Sequence, residues 1–77
     1  MNMTSRQKLV ARANQIATAF EGQRGDAAKD TAAHLGAFWP LPMRSELVRH
    51  LVDGGEGLSP TARAAVGELA TLQPARP

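Results

Sequence analysis

The sequence contains no cysteine, no tyrosine and no long uninterrupted apolar run. Without cysteine it has neither disulfide bonds nor thiolate metal ligands, a composition that fits a reducing compartment. A transmembrane helix needs about 20 predominantly apolar residues, so no membrane span is predicted. The polar N-terminus does not resemble a secretory signal. We therefore expect a cytoplasmic protein with no membrane partner.

Large side chains are also scarce, because the 77 residues include only one Trp and two Phe. A domain of this size buries only about 60% of the surface of its unfolded chain. Enclosed substrate pockets usually measure about 300–1,000 Å³, which such a thin core is not expected to form. Oligomerisation or docking on a larger partner is the remaining way to reinforce the fold. We expect such a partner and no independent enzyme activity.

The charge is weakly basic rather than strongly so. The formal net charge is +2, with nine basic residues scattered among seven acidic ones. Proteins that bind nucleic acid usually concentrate Lys and Arg on one face. Nucleic acid is therefore not an expected partner, and a small basic helical nucleic-acid-binding or regulatory protein is kept as the alternative function.

The largest side chains gather around two closely spaced prolines, at Pro40 and Pro42. A residue that precedes proline is disfavoured in the helical region, so Trp39 and Leu41 are both predicted to be extended or turn-like. Proline is tolerated in the first turn of a helix, which lets a helix begin at Pro42. We predict a Pro-rich structural elbow comprising Phe38, Trp39, Pro40 and Pro42, with both aromatic rings buried.

Apolar residues recur at helical spacing on both sides of this elbow, and no segment alternates with the period of a strand. The fold is predicted to be all-α, a small bundle of three to four short helices with the elbow between helices two and three. The predicted helices span about 4–21, 26 to 38 or 39, 42–53 and 59–72. We expect one helical domain over 4–72, with flexible termini at 1–3 and 73–77.

Several finer expectations follow from the same spacing. The inward stripe of the first helix is predicted to comprise Leu9, Ala13, Ile16 and Phe20, flanked by Val10 and Ala17. Gly36 lies inside the second helix at a cost of about 1 kcal/mol, which predicts a close helix–helix approach there. The GGEG segment, residues 54–57, is interpreted as a flexible linker.

Six residues are candidates for partner binding: Asn14, Gln15, Met43, Arg44, Val48 and Val52. Asn14 and Gln15 lie mid-helix, where Asn is a mediocre helix former, so they are either simply exposed or hydrogen-bonded to a partner or the elbow. Arg44 is a cation in the first turn of its helix, which a partner carboxylate or a backbone carbonyl would explain. The third helix carries Met43 on one apolar face and Val48 and Val52 on a second.

No catalytic, cofactor-binding or metal-binding residue is predicted. His34 and His50 are too far apart for a helical metal pair, and no HExxH motif is present. Surface or interfacial histidines are the preferred interpretation of both. No serine lies in a nucleophile elbow.

Four motifs in order resemble those of one family: KLVARANQIATAF, AAHLGAFW, MRSELVRHL and GGEGLSP, between Lys8 and Val66. They resemble the delta subunit of bacterial NAD-dependent, molybdenum-containing formate dehydrogenase. The elbow of that family usually reads Phe-Trp, an acidic residue, Pro, Arg, Met, Arg. This chain matches at Phe38, Trp39, Met43 and Arg44, and departs at residues 40–42.

The resemblance implies a cofactor-free accessory subunit that assists assembly or stability of the complex by docking on its large catalytic subunit. The molybdenum bis-pterin cofactor, iron–sulfur clusters, FMN and NAD would be bound by partner subunits. In isolation, the second apolar face of the third helix, with Val48 and Val52, is also suited to forming a homo-oligomer.

Overall fold

The computed structural model describes residues 3–72 and contains four α-helices in that range. They are α1 (Ser5–Glu21), α2 (Ala27–Phe38), α3 (Leu41–Val52) and α4 (Pro60–Leu72). No strand occurs between residues 3 and 72, so the predicted all-α fold is confirmed. The predicted flexible termini lie outside the described residues, apart from Met3.

Local capping signals set the start of α1, α2 and α4. Thr4 forms the predicted capping box, in which its hydroxyl accepts from the backbone N–H of Gln7 at 3.1 Å and its own N–H donates to the Gln7 side chain at 2.8 Å. Asp26 caps α2 through its carboxylate. Ser59 caps α4, which begins at Pro60. Each cap satisfies a helix N–H that has no partner within the helix.

The elbow differs from its prediction by one residue. Trp39 is extended as predicted, with φ −89° and ψ 136°. Leu41, predicted to be extended, is instead the first residue of α3. The N–H groups of Met43 and Arg44 both donate to the Pro40 carbonyl, at 3.0 and 3.1 Å, and close the first turn around it. Proline at the second helical position removes only an N–H that would have had no intrahelical partner.

The core lies where α4 packs against α1, α2 and α3. Trp39 is the only aromatic residue within this core, and alanines occupy several of the remaining positions. The buried core residues are Val10, Ala13, Ala17, Leu35, Trp39, Leu47, Leu58, Ala62, Val66 and Leu69. Small side chains let the helix axes approach closely, so the chain forms a compact core from little apolar volume.

Of two expectations about helix faces, one is borne out in part and the other was wrong. The predicted inward face of α1 contains the buried Ala13, and Leu9 and Ile16 pack partly buried against the core, but the fully inward side is formed by Val10, Ala13 and Ala17. Gly36 is exposed, and a Cβ added there would meet the nearest side chain, Leu69, at an ordinary 3.9 Å. The glycine therefore does not mark a close approach between helices.

Candidate interaction surface

Arg44 closes the elbow from the α3 side. Its Nη1 donates to the Trp39 carbonyl at 2.6 Å and to the Gly36 carbonyl at 3.1 Å. The last carbonyls of a helix have no partner within that helix, so the guanidinium caps the C-terminus of α2. Of the two contacts considered for Arg44, the structure contains the one to backbone carbonyls.

The two aromatic residues of the elbow have opposite environments. Trp39 is only 8% exposed, whereas Phe38 is 73% exposed, so the expectation that both rings are buried was wrong. Phe38 is the last residue of α2, whereas Trp39 follows it with an extended backbone, so the two side chains leave the chain in different directions. The Phe38 ring lies 4.8 Å from His34, which makes an edge contact with Phe20 at 6.0 Å.

The inner face predicted for α3 is confirmed, and its second apolar face is only partly exposed to solvent. Leu47 is fully buried, and Met43 and Leu51 are half-buried against the core. Val48 is also half-buried against the core, whereas Val52 is 80% exposed. Met43 therefore has an internal packing role, and Val48 divides its surface between core and solvent.

An apolar stripe runs along the solvent side of α3, comprising Leu41, Val48 and Val52, and we call it the α3 stripe. With 3.6 residues per turn, the three positions lie within about 40° of one another around the axis. Leu41 is 56% exposed and was missed by sequence reasoning because it was assigned to the elbow. Its spacings of seven from Val48 and eleven from Val52 are the signal that could have identified it.

The charges of α3 are divided between its two sides. Arg6 of α1 donates to Glu46 through Nε at 2.8 Å and to Asp53 through Nη1 at 3.0 Å. Hydrogen bonds to Glu46, which has the larger effect, and to Asp53 raise the pKa of the Arg6 guanidinium above its ordinary value. The carboxylates of Glu46 in α3 and of Asp53, its C-cap, thus face α1, while Arg49 is exposed.

Asn14 is engaged inside the molecule. Its Nδ2 donates to the Gly57 carbonyl at 2.8 Å, and its Oδ1 accepts from the backbone N–H of Ser59 at 2.9 Å. The specific hydrogen bond considered for this residue therefore exists, but it is made to the loop between α3 and α4. Gln15 is exposed and borders a shallow surface depression together with Lys8 and Arg12.

The loop between α3 and α4 is a structured connection, so its interpretation as a flexible linker was wrong. His50 Nε2 donates to the Glu56 carbonyl at 2.7 Å, and Arg63 donates to the Gly55 carbonyl at 3.0 Å. Gly55 is buried with φ +67°, and a Cβ there would lie 2.9 Å from the Arg63 guanidinium. Glycine adopts this left-handed conformation without the steric cost that a side chain brings.

A groove of about 430 Å³ lies between α1 and this loop, bordered by Val10, Ala11, Asn14, His50 and Glu56 among others. The two histidines are in different surroundings, since His34 contacts aromatic rings and His50 holds the loop.

Among residues 3–72, no three His, Asp or Glu side chains are grouped so that they could bind a metal ion. No helix in that range combines the length and apolar character needed to cross a bilayer.

Of the six candidate partner-binding residues, the structure brings together only Val48 and Val52, on the α3 stripe. Asn14 and Arg44 have internal partners, Met43 packs on the core, and Gln15 is exposed on α1. Leu41 and Arg49 join the surface that contains the two valines.

Comparison with known proteins supports one family. Neither the curated proteins nor the solved structures include a significant match to this sequence. The family described as the NADH-dependent formate dehydrogenase delta subunit, FdsD, matches residues 8–66 of the 77-residue chain. That range holds most of α1, all of α2 and α3, the structured loop and the first half of α4. The chain therefore belongs to the delta subunit family of NADH-dependent formate dehydrogenase.

Proposed function

We propose that this chain is a non-catalytic accessory subunit that assists assembly or stability of a formate dehydrogenase complex by docking on its large subunit. Partner subunits would bind the molybdenum bis-pterin cofactor, the iron–sulfur clusters, FMN and NAD, in the cytoplasm. The family match supports the association with formate dehydrogenase. The docking role rests on the surface of the molecule.

The observation that carries the proposal is the exposure of large apolar side chains in a chain that has few of them. Phe38, Leu41 and Val52 are 73%, 56% and 80% exposed, while alanines occupy much of the core. Single exposed apolar residues are ordinary, but three of them within residues 38–52 are suited to a protein–protein interface. All three lie in the range that matches the family.

The histidines support a non-catalytic role, because each already has a structural contact. His50 Nε2 donates to a loop carbonyl, and the His34 ring packs between Phe20 and Phe38. General acid–base catalysis would need a titratable group directed at a substrate position. We assign these side chains to the stability of the loop and of the α1–α2 contact.

Affinity purification of the tagged chain from its native cytoplasm tests the proposal. The eluate is expected to contain a large molybdenum- and iron–sulfur-containing subunit and to reduce NAD when formate is added. Deleting the chain should lower the amount of assembled complex and leave the residual complex with its normal turnover. An eluate that contains nucleic acid and loses it steeply with added salt would instead favour the basic nucleic-acid-binding alternative.

A further inference from the structure

We propose that the α3 stripe binds an amphipathic helix with acidic flanks, supplied by another polypeptide of the formate dehydrogenase complex. This inference rests on the function proposed above and assigns the docking surface and the chemistry of its partner. The stripe comprises Leu41, Val48 and Val52, as defined above.

The geometry of the stripe suits a helical partner. Leu41 and Val52 are separated by eleven positions, which corresponds to about 16 Å along a helix axis. The spacings along the stripe, seven from Leu41 to Val48 and four from Val48 to Val52, are those of a seam between packed helices. Ser45 is an exposed small residue between them, so a second helix can approach closely at the middle of the stripe.

The charges beside the stripe are cationic. Glu46 and Asp53 are the only acidic residues of α3 and its C-cap, and both are hydrogen-bonded to Arg6 on the side that faces α1. Arg49 is exposed beside the stripe, and Arg44 lies on its other edge, where it caps α2. A partner with carboxylates beside its apolar seam complements the exposed Arg49.

The same charges disfavour a second copy of this chain as the occupant. Two copies would bring the stripes together with the same cations at their edges, and the carboxylates of α3 and its C-cap would remain on the α1 side with Arg6. Like charges brought together at an interface cost binding energy and exclude the wrong partner. A heterologous acidic helix meets no such penalty.

Two substitutions on the stripe and one matched control test the inference. Val52→Glu places a carboxylate on the apolar seam, and Arg49→Glu reverses the exposed charge beside it. Arg24→Glu makes the same change in net charge as Arg49→Glu, at an exposed position in the loop between α1 and α2. Tagged variants are compared by recovery of formate-dependent NAD reduction, and their folding by circular dichroism and thermal unfolding.

We expect Val52→Glu and Arg49→Glu each to lower recovery by about tenfold, and Arg24→Glu to stay within about twofold of the native chain. A photo-crosslinker at position 52 should attach to a helical segment rich in Asp and Glu in another subunit. If Val52→Glu fails to fold, Arg49→Glu decides the comparison, since its side chain is exposed.

The outcomes separate this inference from the proposed function. Full recovery with both stripe variants would overturn the docking surface and leave the accessory role standing. Crosslinking to a second copy, or to a segment without acidic residues, would overturn the assignment of the partner. A native chain that recovers no formate-dependent activity would overturn both proposals.

Discussion

Asn14 on α1 accepts a hydrogen bond from the backbone N–H of Ser59, the residue that caps α4, at 2.9 Å. The same side chain donates to the Gly57 carbonyl at 2.8 Å. One amide in the middle of α1 thus holds the two residues that flank Leu58, which is buried in the core. An amide that looks misplaced in a helix is explained by a loop more than forty residues away in sequence.

Replacing Asn14 with Ala should lower the free energy of unfolding by about 1–3 kcal/mol, because two hydrogen bonds of about 0.5–1.5 kcal/mol each are lost. Gln15→Ala is the matched control on the neighbouring exposed position, and we expect a change within about 0.5 kcal/mol. Urea unfolding followed by circular dichroism measures both. Equal stabilities of the two variants would show that the loop does not depend on Asn14.

Trp39→Ala should cost about 3–5 kcal/mol and unfold most of the molecules at ambient temperature, because it removes the largest side chain of a thin core. Phe38→Ala, at the adjacent but 73% exposed position, should leave the unfolding midpoint nearly unchanged. Thermal unfolding of both variants makes the comparison. A Trp39→Ala protein with native stability would show that the fold does not depend on the elbow.

Arg44→Ala should destabilise the elbow by about 1–2 kcal/mol, since the carbonyls of Gly36 and Trp39 lose a charged donor at a partly exposed site. Arg44→Lys should recover only part of this loss, because the shorter side chain does not bring its ammonium group to the position from which Nη1 donates to both carbonyls. Chemical unfolding of the two variants gives the order. If Lys restores full stability, a positive charge near the elbow is sufficient and the position of Nη1 is unimportant.

Arg6→Gln should lower the unfolding temperature in dilute buffer, and the difference from the native chain should shrink as salt screens the ion pairs. Because the pKa of Arg6 is raised, the guanidinium stays charged throughout the usual pH range. Its contribution to stability is complete below the ordinary arginine pKa and is lost only above it. The difference should therefore stay constant from neutral pH to about pH 10. Arg12→Gln, at an exposed position of the same helix, is the control.

Thr31→Val should stabilise the chain by about 1 kcal/mol. Thr31 is fully buried in α2, and its hydroxyl has no hydrogen-bond partner among the described residues. Val has nearly the same shape without a polar group that loses its water on folding. Thr18→Val, at an exposed position of α1, should change stability by less than about 0.5 kcal/mol. A loss of stability in Thr31→Val would contradict this account of the hydroxyl.

Local signals were enough to predict the helices, because a cap and its helix are close in sequence. Thr4, Asp26 and Ser59 each begin a helix as predicted, and the capping atoms lie three residues apart. The first residue of α3 was misplaced because the preference of a residue before proline competes with the closing of a helical turn. At Leu41 two hydrogen bonds to the Pro40 carbonyl outweigh that preference.

The sequence by itself determined the all-α class, three helix starts and the inward position of Trp39, since each depends on spacing or on neighbouring residues. Only the tertiary structure decided that Phe38 faces solvent, that Asn14 and Arg44 bind the backbone of their own chain, and that both carboxylates of α3 and its C-cap turn toward Arg6. These outcomes depend on which helix faces meet, and helix spacing alone defines a stripe without saying what covers it.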